Sequence, residues 1–593
     1  MANEHYGSFI KEAFVAPIRS VLIVDDDYPT FDEMLQLEID HQGEDRPPRT
    51  DKTWYDTPQR IKNVIENFRR PDRSLLVDIH DGSNVDAKGE MKIASHLHQS
   101  DLLVLDYQLD KTRPHDGARA IEILRRLMIN EHFNLVVVHT TEKLDIAYQE
   151  ITLGLLSPSG DTLSQEEQDE VAAMIAERED QDPNVLASLR EAVGVSQYIH
   201  SRLHILNFMR TMGQGNQPYS HFAAISEEAN WNNGKRRLLL RHLLQQIEEP
   251  LLPRLHGSEA GPIKVSSSAT KWIKAESVFI AFSDKQDEDD PVNALQEALE
   301  AWNPAPSRLF MAKLRAEMDE HGVVAQTGAL ERQHALAHWY ARLLRAGGNE
   351  RRWLIAESVA RHSDQLMNVI LRRVEKFATA LIEKEAEAAE GQVDARCQQH
   401  FNVDLTGPLS KKKAEREHNA FVCSTAPQGW HLSTGHVFEM EKEHWVCLSP
   451  ACDLVPGQGQ ARTDDYGGRL PFVAVKLYPQ GDKEIADVNS NLFVFLTIAG
   501  NVQAYCFNSH AKEATAPTWK IFYAENGGIL SDDFRFDVSV MRAGKTRLLS
   551  CKQPATVVAQ LRYEYALNLA QKLGTSMTRI GLDFVGTSVA TIP

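Results

Sequence analysis

Three short runs of unbroken aliphatic residues, each ending on acid or hydroxyl side chains, organise the first third of the chain. Residues 21–27 read VLIVDDD, residues 101–106 read DLLVLD, and residues 135–141 read LVVVHTT. A strand with one face in water alternates polar and apolar side chains. Runs without alternation suit strands covered on both faces, as in parallel sheets. ARAIEILRRLM (118–128) and LDIAYQEITLGLL (144–156) instead place apolar groups at three- and four-residue spacing, so each predicts a helix. Strands and helices in alternation predict a doubly wound α/β domain.

The pattern then changes several times. Residues 155–262 contain helical segments joined by polar loops, among them QEEQDEVAAMIAERED, VLASLREAVGV and RRLLLRHLLQQIEEPLL. A further apolar strand, SVFIAFSDK, spans 277–285, and an amphipathic segment, DPVNALQEALEAW, follows it. Residues 306–395 carry apolar stripes at helical spacing, broken at Gly347-Gly348-Asn349, and predict helical hairpins. Residues 396–420 are a polar, partly basic linker in which Lys411-Lys412-Lys413 reads as a solvated run. From 421 to 593 the signal is mainly β: WVCLS, FVAVKLY, NLFVFLTIA and VQAYCF are short strands between Gly and Asn turns. VVAQLRYEYALNLAQKL near the end reads as a helix.

Composition narrows the classes. The 593 residues divide into several domains, and 42% hydrophobic with 25% charged residues is the balance of a globular protein. Acids outnumber bases 83 to 64, a formal charge of -19, which opposes general nucleic-acid binding. No apolar stretch approaches the ~20 residues that span a bilayer, and MANEHYGSFIKEAF lacks the pattern of an export signal. Six cysteines in so long a chain make no disulfide framework. The expectation is a cytoplasmic, multidomain protein without a membrane partner.

The chemistry gathers where the first strands end. Asp25, Asp26 and Asp27 are adjacent carboxylates at the carboxyl end of a predicted parallel strand, where open α/β sheets place their ligands. A solvated acidic turn is one reading; a hard cation such as Mg²⁺, which prefers one or two carboxylates plus water and phosphate oxygens, is the other. The second strand also ends on an acid, Asp106, and Asp116-Gly117 follows ahead of its helix.

VLIVDDD, LLVLDYQL with Asp116-Gly117, and VVVHTT together resemble the receiver domains of two-component response regulators. The resemblance implies a flavodoxin-like domain in which Asp106 accepts a phosphoryl group from a sensor histidine kinase. It implies Mg²⁺ held by Asp25, Asp26, Asp106 and the backbone carbonyl of Gln108, with Thr140 contacting the phosphoryl oxygens. The family's lysine after a fifth strand is missing at the usual distance from Thr140. Lys285, ending SVFIAFSDK, fills that place if the domain spans 15–305 and is interrupted by an insertion at about 155–262. An unrelated strand with a solvent-facing lysine is the alternative. A further insertion is expected in 40–72, where EDRPPRTDK marks a loop. A receiver enlarged at two places is similar to the divergent receivers of bacterial conflict and phage-defence operons.

The last third holds Cys423, His436, Cys447 and Cys452, residue types that can bind zinc. Cys447 and Cys452 are spaced more loosely than a paired zinc knuckle, and buried thiols with surface histidines are the plainer account. GHVFEMEKEHWVCLSPACDL resembles small β-barrel modules of bacterial proteins. No Walker loop, HExxH or GxSxG is present, so the expected role is a phosphate buffer or relay. An effector-bearing regulator competing for the same kinase is an expected partner, and self-association is compatible with the helical stripes. The rivals are an effector whose C-terminal β domain binds or cuts a target, and a scaffold whose receiver takes no phosphate.

Overall fold

The computed structural model describes residues 2–41, 52, 58–82, 100–110, 116–129, 132–203, 218–256, 261–266, 269–285, 290–330, 332–456, 464–481, 492–508 and 517–578. The chain divides into two units. One is Met1–Ala316 with Phe377–Ala388, and the other is Glu317–Lys376 with Ala389–Pro593.

The first unit is built on a seven-stranded sheet. Its strands are β1 (Ser20–Val24), β2 (Leu76–His80), β3 (Leu102–Leu105), β4 (Asn134–Thr140), β5 (Lys264–Val265), β6 (Trp272–Lys274) and β7 (Val278–Asp284). The spatial order is β2-β1-β3-β4-β7-β6-β5. The first five strands of that order are parallel, and β6 and β5 extend the edge antiparallel. A two-residue strand period sends neighbours to opposite faces. Leu22, Val24, Leu103, Leu105, Val136, Val138, Ile280 and Phe282 accordingly meet α4 (Ala118–Ile129) and α5 (Leu144–Leu155) on one side. Val21, Ile23, Leu102, Val104, Leu135, Val137, Phe279 and Ala281 pack on the other side with α1 (Ala2–Ile10), α3 (Pro58–Phe68) and the helix Pro291–Trp302. The aliphatic runs lack alternation because both faces of the sheet are covered. A remaining helix, α2 (Phe31–His41), follows β1.

Between α5 and β5 the chain forms the helices Gln165–Glu179, Val185–Ala192, Val195–Leu203, Ser220–Glu228 and Asn233–Leu251. Val171, Met174, Leu189, Tyr219, Phe222, Trp231, Leu239 and Leu243 give this segment a core of its own. Its first helix opens on a capping box in which Ser164 and Glu167 satisfy each other's backbone N–H groups. The EDRPPRTDK loop lies outside the described residues apart from Lys52.

Long helices, Pro306–Leu330, Gln333–Arg345 and Gly348–Ala389, follow. The segment read as a linker is helical over Val393–Phe401 and Pro408–Cys423. Proline at the first turn and the run KKKAERE, all strong helix formers, account for the start of the second of these, and the buried Ala420 and Cys423 anchor its end in a cluster with Phe493 and Phe495.

In the second unit six strands close into a barrel: β9 (His436–Met440), β10 (Glu443–Cys447), β11 (Leu470–Pro479), β14 (Trp519–Ala524), β15 (Arg535–Ala543) and β16 (Leu548–Leu561). Each pairs antiparallel with the next, and β16 closes on β9. Phe438, Trp445, Phe472, Phe522 and Phe536 fill the interior, with Phe438 edge-on to three of the other rings. β8 (Ser424–Thr425) pairs with β16, while β12 (Phe493–Ile498) and β13 (Asn501–Cys506) continue from the end of β11. The helix read over VVAQLRYEYALNLAQKL begins only at Tyr563; VVAQL is the end of β16. Val557, Ala559 and Leu561 are buried while Val558 and Gln560 are half-exposed, so period-two burial outweighs the helical pattern there. Among the described residues no helix is long and apolar enough to cross a membrane.

Candidate functional site

Four adjacent parallel strands end at one place. Asp25 follows β1, Asp106 follows β3, Thr140 ends β4 and Lys285 follows β7. Parallel pairing holds these ends level: the Asp25 amide donates to the His80 carbonyl at 3.0 Å, the Asp106 amide to Val24 at 2.8 Å, and the Lys285 amide to Thr140 at 2.9 Å. Lys285 therefore reaches the site through a strand that enters the sheet after the whole helical insertion.

The Lys285 ammonium lies 2.8 Å from Asp25 Oδ2 and 2.9 Å from Asp106 Oδ2. Asp25 is 2% exposed and Asp106 9%, so two carboxylates and one ammonium share a nearly dry pocket. Isolated ions there would be strongly disfavoured, and mutual pairing offsets part of that desolvation. The Asp106 carboxyl is raised to about 7: burial lifts it most, Lys285 opposes this, and the Asp25 charge adds to the rise. Burial alone would weaken the Lys285 ammonium, but Asp25 and Asp106 together hold its pKa above the ordinary lysine value. The Tyr28 ring centroid is 6.0 Å from the Lys285 ammonium.

Backbone donors orient the acids. The Asp27 amide donates to Asp25 Oδ1 at 3.0 Å, and the Gln108 amide to Asp106 Oδ1 at 3.3 Å. Thr140 is fully buried, and its Oγ1 accepts from the Glu142 amide at 3.0 Å. Asp25, Asp26 and Asp106 each present a carboxylate oxygen within 4.8 Å of the other two. Three hard oxygen donors so close, with open coordination left for water or phosphate, fit Mg²⁺ far better than a soft metal.

The loop after Asp106 is shaped by a steric requirement. A Cβ built on Gly117 would stand 2.0 Å from Tyr107 Cε2, so the buried Tyr107 ring lies against a position only glycine can fill. Nearby, the Lys52 ammonium donates to the Tyr28 carbonyl and to Glu33 Oε2, 2.7 Å away, and faces Asp81 at 3.6 Å. Tyr28 could have been suspected from its place beside the acids. Lys52 carries no sequence signal, being one basic residue in a long polar stretch of sequence.

The four zinc candidates are not brought together. Cys423 Sγ donates to the Phe495 carbonyl, and burial pushes its thiol up to about 11. Cys447 lies in the barrel interior with its thiol pushed up to about 12, also by burial. Cys452 is exposed. His436 is buried, receives the Ser433 amide at Nδ1 and contacts the Gln428 carbonyl through Nε2. Among the described residues the cluster of possible metal-binding side chains is the acid group, not this set. Thiols held protonated in separate apolar surroundings are poor ligands and poor nucleophiles.

The parallel strands stand in the order 2-1-3-4-5, with acids after the first and third and a lysine after the fifth, so the charged groups gather at the carboxyl ends of a doubly wound α/β sheet. Residues 17–183 match the family model of the response receiver domain, so this part of the chain is a receiver. The match takes in Asp25, Asp26, Asp106 and Thr140 and ends within the insertion; β7 and Lys285 lie beyond it. No curated protein and no solved structure matches the chain.

Proposed function

We propose that Asp106 accepts a phosphoryl group from the phosphohistidine of a partner sensor histidine kinase, and that the protein serves as a phosphate buffer or relay. The observation that carries this reading is the Lys285 ammonium between Asp25 and Asp106 at 2.8 and 2.9 Å. It matches the charge arrangement a transferring phosphoryl group needs.

In the transfer, an Asp106 carboxylate oxygen forms the new bond to phosphorus while the bond from phosphorus to the kinase imidazole nitrogen breaks. The imidazole leaves as a neutral ring once that nitrogen holds a proton. The Gln108 amide keeps the Asp106 carboxylate aimed, and Lys285 faces the incoming negative charge. Thr140 receives the Glu142 amide at its oxygen, which leaves its O–H to donate to a phosphoryl oxygen. Asp25, Asp26, Asp106 and the Gln108 carbonyl would hold Mg²⁺, which supplies positive charge to offset that of the phosphoryl group.

The buffer role rests on resemblance: the chain resembles divergent receivers of phage-defence two-component systems, in particular the Detocs component DtcB, which lacks an effector. A competing effector-bearing regulator is then the expected partner, and the cytoplasm the expected compartment. Transfer from a cognate kinase with Mg²⁺ to the wild type and to Asp106→Asn tests the chemistry. Label on the wild type alone is expected. An active kinase that leaves the wild type unlabelled would overturn the proposal. Loss of a buffer should make the system trigger without infection, whereas loss of an effector switch should silence it.

A further inference from the structure

At the end of the sheet opposite the acids, three cations gather on one aromatic ring. Phe133 immediately precedes β4. The Lys274 ammonium lies 5.1 Å, the Arg308 guanidinium 4.7 Å and the Arg315 guanidinium 5.9 Å from its ring centroid. Lys274 also lies 6.0 Å from the Trp302 ring. Such stacking attracts each cation to the rings, but it does nothing about the repulsion among the three.

Among the described residues none of the three has an ion-pair partner. Lys274 is buried and donates to the Glu276 backbone carbonyl at 3.0 Å. Arg315 donates to the Phe133 carbonyl at 3.3 Å. Arg308 has its ring contact and, among the described residues, no hydrogen-bond acceptor or ion-pair partner for its guanidinium. The acid that acts on the group is the exposed Glu276, which forms no ion pair with any of the three among the described residues. Burial, and next the Arg308 charge, push the Lys274 ammonium down to about 8. Burial and Arg315 likewise lower Arg308. In a chain of net charge -19, a partly buried trio of cations with no carboxylate in ion-pair contact among the described residues is an unbalanced arrangement.

We propose that Lys274, Arg308 and Arg315 form a binding site for a small phosphate-type oxyanion, at the opposite end of the sheet from Asp106. Two guanidiniums offer planar donor pairs suited to phosphate oxygens, and the ammonium adds a compact charge. The faces of Phe133 and Trp302 already contact the cations, so recognition falls on the anionic group. A free oxyanion and the phosphates of a nucleotide share that chemistry.

Calorimetric titration of the full chain with sodium pyrophosphate, in EDTA, tests the site. EDTA prevents a divalent cation from holding the probe at Asp25, Asp26 and Asp106, so this outcome and that for phosphotransfer are independent. Saturable binding is expected, weakened at least tenfold by Arg308→Ala and by Lys274→Met and unchanged by Lys411→Ala in the other unit. Arg308 is only half-buried and its guanidinium makes no hydrogen bond among the described residues, so its variant tests the site even if Lys274→Met fails to fold. ADP binding more tightly than pyrophosphate would assign the nucleotide as source, and equal affinity the free oxyanion. No saturable heat, equal competition by chloride, or an affinity indifferent to Arg308→Ala would overturn the proposal.

Discussion

The Lys285 ammonium stands 2.9 Å from the Asp106 carboxylate, although the whole helical insertion separates the two residues in sequence. Removing the cation would leave Asp25 and Asp106 facing each other in a nearly dry pocket. Breaking a buried pair in this way costs about 3–5 kcal/mol. Lys285→Met should therefore lower the stability of the first unit in EDTA by about 3 kcal/mol, since Asp106 can relieve part of the repulsion by taking a proton. Saturating Mg²⁺ should restore most of the loss. Chemical denaturation with and without Mg²⁺ measures both, and equal stability of mutant and wild type in EDTA would contradict the pairing.

The raised Asp106 carboxyl makes a prediction about pH. Its folded value of about 7 lies above the ordinary 3.8, so the folded state binds the extra proton. The stabilisation is complete below pH ~4 and is lost as pH rises toward 7, by on the order of a few kcal/mol. In EDTA, the stability difference between wild type and Asp106→Asn should shift toward the mutant across this window. A difference constant from pH 4 to 7 would rule the shift out.

His436 predicts the opposite slope in the barrel. Burial pushes its imidazole down to about 4, the Gln428 carbonyl contact opposes this, and His431 adds a smaller lowering. The neutral ring is the folded form, so its stabilisation is present above pH ~6.5 and lost as pH falls through about 4. The loss is on the order of 3 kcal/mol. Acid unfolding followed by tryptophan fluorescence, to which the buried Trp445 contributes, should be less steep for His436→Gln than for the wild type. Identical acid profiles would count against a buried neutral imidazole.

Gly117→Ala should strain the loop after Asp106, because the new methyl meets the Tyr107 ring at 2.0 Å. Overpacking of this kind costs about 1–3 kcal/mol. Paired with Tyr107→Ala, the substitution should be far less damaging than the sum of the two single changes. Denaturation midpoints of the four variants form the cycle, and additive effects would refute the contact.

The sheet was legible where burial on both faces forces unbroken aliphatic runs, at Val21–Val24, Leu102–Leu105 and Leu135–Val138. It was illegible at β2, where Leu76–His80 forms a half-exposed edge carrying Asp78, without the density of apolar groups that marks a central strand. The acids could be read because each sits at a strand end. Lys285 required supposing an interrupted domain, since nothing local ties SVFIAFSDK to a sheet begun far earlier. The helix Pro408–Cys423 escaped because its first turns rest on residue propensity and burial is confined to its end, at Ala420 and Cys423. In the barrel the strands containing Trp445 and Phe472 were visible, but closure depends on the pairing of β16 with β9, distant segments that no local window contains.

The position of β7 after the insertion has a consequence for how the protein is made. When β4 leaves the ribosome, its edge has no partner until roughly 140 further residues have followed. At ~5–20 residues per second, that wait is roughly 7–28 s. The insertion carries its own core and can fold during the interval, which brings the ends of the excursion closer and eases loop closure. Until then the nascent chain holds Asp25 and Asp106 without Lys285, and an open β4 edge that favours early pairing with chaperones or with another chain.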